Sequence, residues 1–191
     1  YLQNYETKHF LKKIRPKKVN HIGNLKFAEN PDENFSKISE KLKRELNKNK
    51  IWVASSTHKN EEIFCAKAHK ILKKKIKNLI TIIIPRHVHR ANEIAFEMEK
   101  IDLKTSYYSS NFKTFKNIDI YIVDTFGETK LFHKVSSTVF FGGSIIKRGG
   151  HNPLEAARLG SKILHGPNTD NFKDVYKNLK SLNISKKINT P

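Results

Sequence analysis

The chain has 191 residues and a formal net charge of +19, with 37 Lys and Arg against 18 Asp and Glu. That length supports one sizeable core; no apolar run approaches the roughly 18 residues of a membrane span, nothing reads as a signal peptide, and the single cysteine excludes a disulfide framework. Only six basic residues are arginine, the lysines spread over predicted solvent faces such as KLKRELNKNK, and no aromatic–basic interleaving accompanies them; the charge therefore describes a solvated surface, one that would favour an anionic membrane, rather than a nucleic-acid groove.

Residues Tyr1 to Arg15 read as the end of a helix, stopped by Pro16. A short strand (Val19 to Ile22) and the loop Gly23 to Phe27 follow. Phe35, Ile38, Leu42 and Leu46 recur at helical spacing, which predicts a helix from about Glu33 to Lys48. From Ile51 the pattern becomes regular. Predicted strands are Ile51 to Ser55, Leu79 to Ile84, Leu103 to Tyr107, Ile118 to Val123, Thr138 to Phe141 and Ile163 to Leu164. Predicted helices run from about Asn60 to Ile76, Arg90 to Lys100, Glu128 to Lys134, a short turn after Pro153, and Asn171 to Leu182. Cys65 falls in the helical pattern as a small core residue. The last residues, Ser185 to Pro191, carry no predicted element and read as a chain cut before its natural end.

Strands alternating with helices at this spacing mean an α/β fold, a Rossmann-like doubly wound parallel sheet. Counting from Ile51, the expected strand order is 3-2-1-4-5-6. Its switch point, where open sheets of this kind bind ligands, would fall between the strands ending at Ser55 and Val123.

The stretch from Ser137 to His165 organises the rest. An apolar strand breaks at Gly142-Gly143, loops through Ser144 to Gly149-Gly150 and enters a helix at His151-Asn152-Pro153-Leu154-Glu155. Asn152 suits an N-cap, Pro153 the first helical position, and Glu155 sits three residues after the cap. Two readings fit this motif. Glycines let a backbone approach an anion at a helix N-terminus while Glu155 accepts from sugar hydroxyls. Equally, Asn-x-x-Glu is a capping box in which the Glu reaches back to the cap. The other predicted strand ends supply Ser55-Ser56-Thr57-His58, Pro85-Arg86-His87, Asp124 to Glu128 with Gly127, and Gly166-Pro167-Asn168. Hydroxyls, an arginine, glycine backbone and carboxylates on one rim suit a phosphate, a ribose and a base. Scarce arginines make Arg86 and Arg148 informative, because a guanidinium fork fits phosphate; Arg90 and Arg158, inside helical stretches, read as surface arginines.

GNLKF, STH followed by EE, PRH, DT-x-GE, GGS, GGHNPLE and GP-x-T-x-NF occur in the order and spacing seen in 3-deoxy-D-manno-octulosonic acid (Kdo) transferases. The resemblance runs from about Val19 to Phe172. It implies the C-terminal domain of a GT-B glycosyltransferase, an inverting enzyme that moves Kdo from CMP-Kdo to a lipid A precursor at the cytoplasmic face of the bacterial inner membrane. Residues 1–17 would then end a preceding domain, and residues 18–191 would bind the donor. By this resemblance Arg86 holds the CMP phosphate, Glu155 the ribose, and Gly127 and Glu128 lie near the cytosine. Ser56, Thr57, His58, His87, Gly142, Gly143, Ser144, Gly149, Gly150, His151 and Asn152 would complete the donor site. The family's general base is a glutamate in the N-terminal half, so no catalytic base is expected here, nor a cofactor or metal. Phe126, Val88-His89, Asn168 and Asp170 depart from the usual pattern around the base. Competing readings are a GT-B enzyme using a UDP-sugar, a metal hydrolase with His58, His87, His89 and His151 as ligands, and a basic nucleic-acid-binding module.

Overall fold

A computed structural model describes residues 39–110 and 114–191, together with Lys13. The helix expected at Tyr1 to Arg15, the strand at Val19 to Ile22, the Gly23 to Phe27 loop and the boundary near residue 17 lie outside the described residues. Residues Ser36–Pro191 form one compact unit.

In chain order the elements are helix α1 (Glu40–Lys48), strand β1 (Lys50–Thr57), α2 (Glu61–Lys73), β2 (Leu79–Pro85), α3 (Ala91–Glu99), β3 (Thr105–Tyr107), β4 (Ile120–Ile122), α4 (Thr129–Val135), β5 (Thr138–Phe141), α5 (Leu154–Arg158), β6 (Lys162–His165), α6 (Lys173–Ser181) and β7 (Ser185–Lys187). Ser39 caps α1, its hydroxyl accepting from the Leu42 N–H at 3.3 Å. That cap starts α1 at Glu40; the part of the expected helix from Glu33 to Ile38 lies outside the described residues.

All seven strands are parallel, in the order β3-β4-β2-β1-β5-β6-β7. The expected order is corrected in one place. The strand at Ile120–Ile122 does not sit beside β1; it pairs with β2, with Ile82 opposite Tyr121, and with β3. A fully apolar strand buried on both faces fits any interior position of a parallel sheet, so its residues do not encode which neighbours it takes. The switch point therefore lies between β1 and β5, with Ser55 opposite Phe141. The tail also differs from expectation: Ser185–Lys187 pairs with β6 as the edge strand β7.

Alternation along the strands divides the core. Val53, Ile82, Ile84, Tyr121, Val139, Phe141 and Ile163 face α1, α4, α5 and α6, while Ala54, Ile83, Ile122 and Phe140 face α2 and α3. Helices pack on both faces of the sheet, and folds of this kind bind ligands at the strand ends and the loops beyond them. Cys65 is buried in α2, as its helical position predicts, and burial pushes its thiol pKa well up. Among the described residues no helix is long and apolar enough to cross a membrane.

Candidate functional site

At the end of β1 the pairing with β2 slips by one residue between Ser55 and Thr57, and Ser56 takes up the extra position with a left-handed φ of 55°. The bulge turns the chain into His58 and the first turn of α2. Across the switch point, β5 ends at Gly142, whose N–H donates to the Ser55 carbonyl at 2.8 Å. A Cβ on Gly142 would lie 2.3 Å from the Ser56 carbonyl oxygen and 2.6 Å from the Thr57 Cα. Only glycine lets the two strand ends approach this closely.

The two ends are held together by Glu61, which the motif contains but to which sequence reasoning gave no role. Its side chain is fully buried. Oε2 accepts from the N–H groups of His58 (3.1 Å) and Gly143 (2.6 Å), and Oε1 from those of Ser144 (3.1 Å) and Ile145 (2.9 Å). The glycine loop is thus an anion nest as the sequence suggests, but its occupant is the protein's own carboxylate. The amides of Gly143 and Ser144 stabilise the loop itself. Gly150 closes it by donating to the Gly143 carbonyl at 2.8 Å, and Gly149 turns with φ 79° against the Asn171 side chain, whose Nδ2 donates to the Arg148 carbonyl at 2.9 Å. Asn168 is likewise structural, its Nδ2 donating to the carbonyls of Ser144 and Ile145 at 3.1 and 3.0 Å.

Beyond this floor stands a basic cluster. His58 and His151 share a hydrogen bond between their Nε2 atoms at 3.0 Å, with rings 9° from parallel. His87 meets His58 edge-on at 6.0 Å between ring centroids and contacts His89 at 5.6 Å. Arg86 follows β2, its N–H bonded to the Thr57 carbonyl at 2.9 Å, and its side chain is exposed. Burial, with His58, Arg86 and His87 nearby, lowers the His151 pKa to about 4, and burial chiefly lowers that of His58. Both imidazoles are therefore neutral at pH 7 and compete for one shared proton position. Tyr176 holds His151 from below, its hydroxyl donating to the His151 carbonyl at 2.9 Å.

The structure does not form the capping box offered by the motif. Helix α5 begins at Leu154, after Pro153, and Asn152 Oδ1 accepts from the Leu154 N–H at 3.1 Å. The cap position thus falls on Pro153, one residue later than the expected Asn152, and Glu155 does not reach back to the cap. Instead Glu155 Oε1 meets His133 Nδ1 of α4 at 3.2 Å, and that hydrogen bond lowers the Glu155 pKa. His133 was not singled out by any sequence pattern. It is 3% exposed, and its Nε2 lies 3.0 Å from Ser55 Oγ.

The structure thus brings Ser56, Thr57, His58, Arg86, His87, Gly142, Gly143, Ser144, Gly149, Gly150, His151 and Asn152 to the β1–β5 split, with Glu155 joined to it through His133 and Ser55. Gly127 and Glu128 follow β4, which the corrected strand order puts on the far side of β2; Glu128 there lies against Tyr108 and helps raise that phenol's pKa, after burial. Arg90 is no surface arginine. It reaches Glu62 at 2.8 Å and Glu93 at 3.0 Å, and Glu62 is fully buried.

A parallel sheet split at β1 and β5, with basic and carboxylate groups on the loops beyond the split, is the architecture of the C-terminal domains of GT-B glycosyltransferases. One such domain of known structure, the C-terminal CMP-Kdo binding domain of WaaA from Acinetobacter baumannii, aligns with a TM-score of 0.72 and 27% identity over 79% of each chain. A scan against protein-family models finds no match. Curated relatives are the 3-deoxy-D-manno-octulosonic acid transferases of Haemophilus influenzae, 32% identical over 85% of this chain, and Rickettsia bellii, 39% identical over 82%. A probable mitochondrial homologue from Arabidopsis thaliana is 34% identical over 86%. The chain is thus similar to Kdo transferases over most of its own length, and it spans 37–38% of the length of these relatives.

Proposed function

We propose that this chain is the donor-binding part of an enzyme that transfers Kdo from CMP-Kdo to a lipid A precursor in lipopolysaccharide biosynthesis. The alignment with a CMP-Kdo binding domain over four-fifths of both chains carries the reading. The β1–β5 rim supports it. Arg86 supplies a guanidinium for the phosphodiester, His58 and His151 supply one N–H between them for its oxygens, and Glu155 supplies a carboxylate for ribose hydroxyls. Gly127 and Glu128, across β2, would approach the cytosine.

In the transfer itself, the acceptor hydroxyl oxygen bonds to the anomeric carbon of Kdo as the bond from that carbon to the CMP phosphate oxygen breaks. The electron pair leaves with CMP, and the acceptor proton passes to a base. Every group on this rim serves the leaving side, so the base and the acceptor site belong to another part of the whole enzyme. The whole enzyme would work peripherally at the cytoplasmic face of the inner membrane.

The test is isothermal titration with CMP, CMP-Kdo and UMP. CMP and CMP-Kdo should bind and UMP should bind much more weakly. Arg86→Ala should weaken CMP by about 1.5–3 kcal/mol, the scale of a charge-assisted hydrogen bond. Equal affinity for UMP, or an unchanged CMP affinity in Arg86→Ala, would overturn the assignment.

A further inference from the structure

We infer that His133 is the positioning residue for Glu155 and that the Ser55–His133–Glu155 chain sets a preference for ribonucleotides over deoxyribonucleotides. The inference rests on the proposed reading of Glu155 as the ribose-binding carboxylate and adds what holds that carboxylate in place.

The three groups come from three elements. Ser55 closes the regular part of β1 and is fully buried; His133 lies on α4; Glu155 lies in the first turn of α5. Their hydrogen bonds, 3.0 Å from Ser55 Oγ to His133 Nε2 and 3.2 Å from His133 Nδ1 to Glu155 Oε1, form one chain. Its direction follows from chemistry. A carboxylate oxygen only accepts, so His133 must carry a proton on Nδ1 to face it. In the neutral ring Nε2 then accepts from the Ser55 hydroxyl, and both protons point towards Glu155. The backbone that carries this imidazole is also tied down, the His133 carbonyl accepting from Ser161 Oγ at 3.2 Å.

Glu155 differs from its two partners in being open. Its side chain is 49% exposed, against 3% for His133. One oxygen is pinned from within, and half of the side chain remains open to a ligand. A carboxylate so fixed is poised to accept from two adjacent hydroxyls. Free of His133, the same side chain would keep its rotamer freedom and lose it on binding, at about two- to tenfold in affinity. A site built to accept from a hydroxyl discriminates strongly against the analogue that lacks it, since its own polar group is left unpaired. Discrimination should therefore fall together with the positioning.

The experiment titrates CMP and 2′-deoxy-CMP calorimetrically into the wild-type chain, Glu155→Gln, His133→Phe, His133→Asn, and the Glu155→Gln/His133→Phe double variant. Wild type should prefer CMP by at least about tenfold. Glu155→Gln should bring the ratio near one, His133→Phe should lower it by about two- to tenfold, and the double variant should lose nothing beyond Glu155→Gln. Asn places an amide near the position of Nδ1, so His133→Asn should retain part of the preference. Ser55→Ala, which leaves His133 in place without its Nε2 partner, should weaken the preference even if His133→Phe does not fold. A wild-type ratio in His133→Phe, with the ratio lost in Glu155→Gln, would overturn the role of His133 and leave the ribose reading intact. A wild-type ratio in Glu155→Gln would overturn the ribose reading itself.

Discussion

Replacing Glu61 by Gln tests whether the site is held together by a buried charge. The substitution keeps the side chain's volume and shape. In the wild type each carboxylate oxygen accepts from two backbone N–H groups, His58 and Gly143 at one and Ser144 and Ile145 at the other. Glutamine keeps one oxygen and puts an NH2 group where the other stood. Two amides then face a donor instead of an acceptor, in a place that is fully buried. Each buried donor left unpaired costs about 1–3 kcal/mol, so the pair should cost about 2–6 kcal/mol. At about 2–4 °C per kcal/mol for a domain of this size, a loss in the middle of that range lowers Tm by about 8–16 °C. Urea unfolding followed by circular dichroism measures the free energy, and calorimetric titration with CMP measures the effect on the rim. Glu61→Ala should be less harmful per group lost than Glu61→Gln, because the space it opens admits water to the same amides. Stability within about 0.5 kcal/mol of wild type in Glu61→Gln would show that the loop amides do not depend on the carboxylate, and the account of the glycine loop would fail.

Two further outcomes follow from buried ionisable groups. Burial raises the pKa of Glu62, and Arg90 opposes that rise; Arg90→Ala leaves this carboxylate unpaired and should cost about 3–5 kcal/mol in urea unfolding, partly restored by adding Glu62→Gln. No such restoration would mean that the arginine acts through packing alone. The folded His151 pKa of about 4 lies below the ordinary imidazole value of 6.5, so the unfolded chain takes up this proton first and stability is lost as pH falls from about 6.5 to about 4. His58, shifted in the same direction, adds to the slope. Plotting Tm against pH for wild type and His151→Gln should give curves that converge as the solution is acidified; parallel curves would refute the shift.

Most elements were legible from the sequence because apolar periodicity records burial, and burial is what strands and helices of this fold share. What periodicity does not record is partnership. Ile120 to Ile122 read correctly as a buried strand yet carry nothing that distinguishes β1 from β2 as neighbour. The three residues of β7, Ser-Lys-Lys, have no strand signature and pair only because β6 offers an edge. In the site, the glycine loop, Arg86 and Glu155 stood out because glycine clusters, rare arginines and first-turn carboxylates have few uses. Glu61 and His133 did not. An acidic residue opening a helix is ordinary dipole chemistry, and three of the four amides that Glu61 binds lie 82–84 residues away in the chain. His133 follows Leu131 and Phe132 in an apolar helix face. The hint available was that a histidine there must be buried and must find partners, but its partners lie on two other elements.

The corrected strand order has a consequence for how the chain folds. The first four strands, residues 50 to 122, occupy one side of the sheet, and the last three, residues 138 to 187, the other. Each side grows by addition of nearby segments, but the seam between them, β1 against β5, closes a loop of more than 80 residues. Closing long loops is the slow part of assembling parallel sheets. The donor rim sits astride that seam, with Ser56, Thr57, His58 and Arg86 contributed by one side and the glycine loop, His151 and Glu155 by the other. It is therefore among the last parts of the molecule to exist during folding, and a nucleotide that bridges the two sides would bind only chains that have completed it.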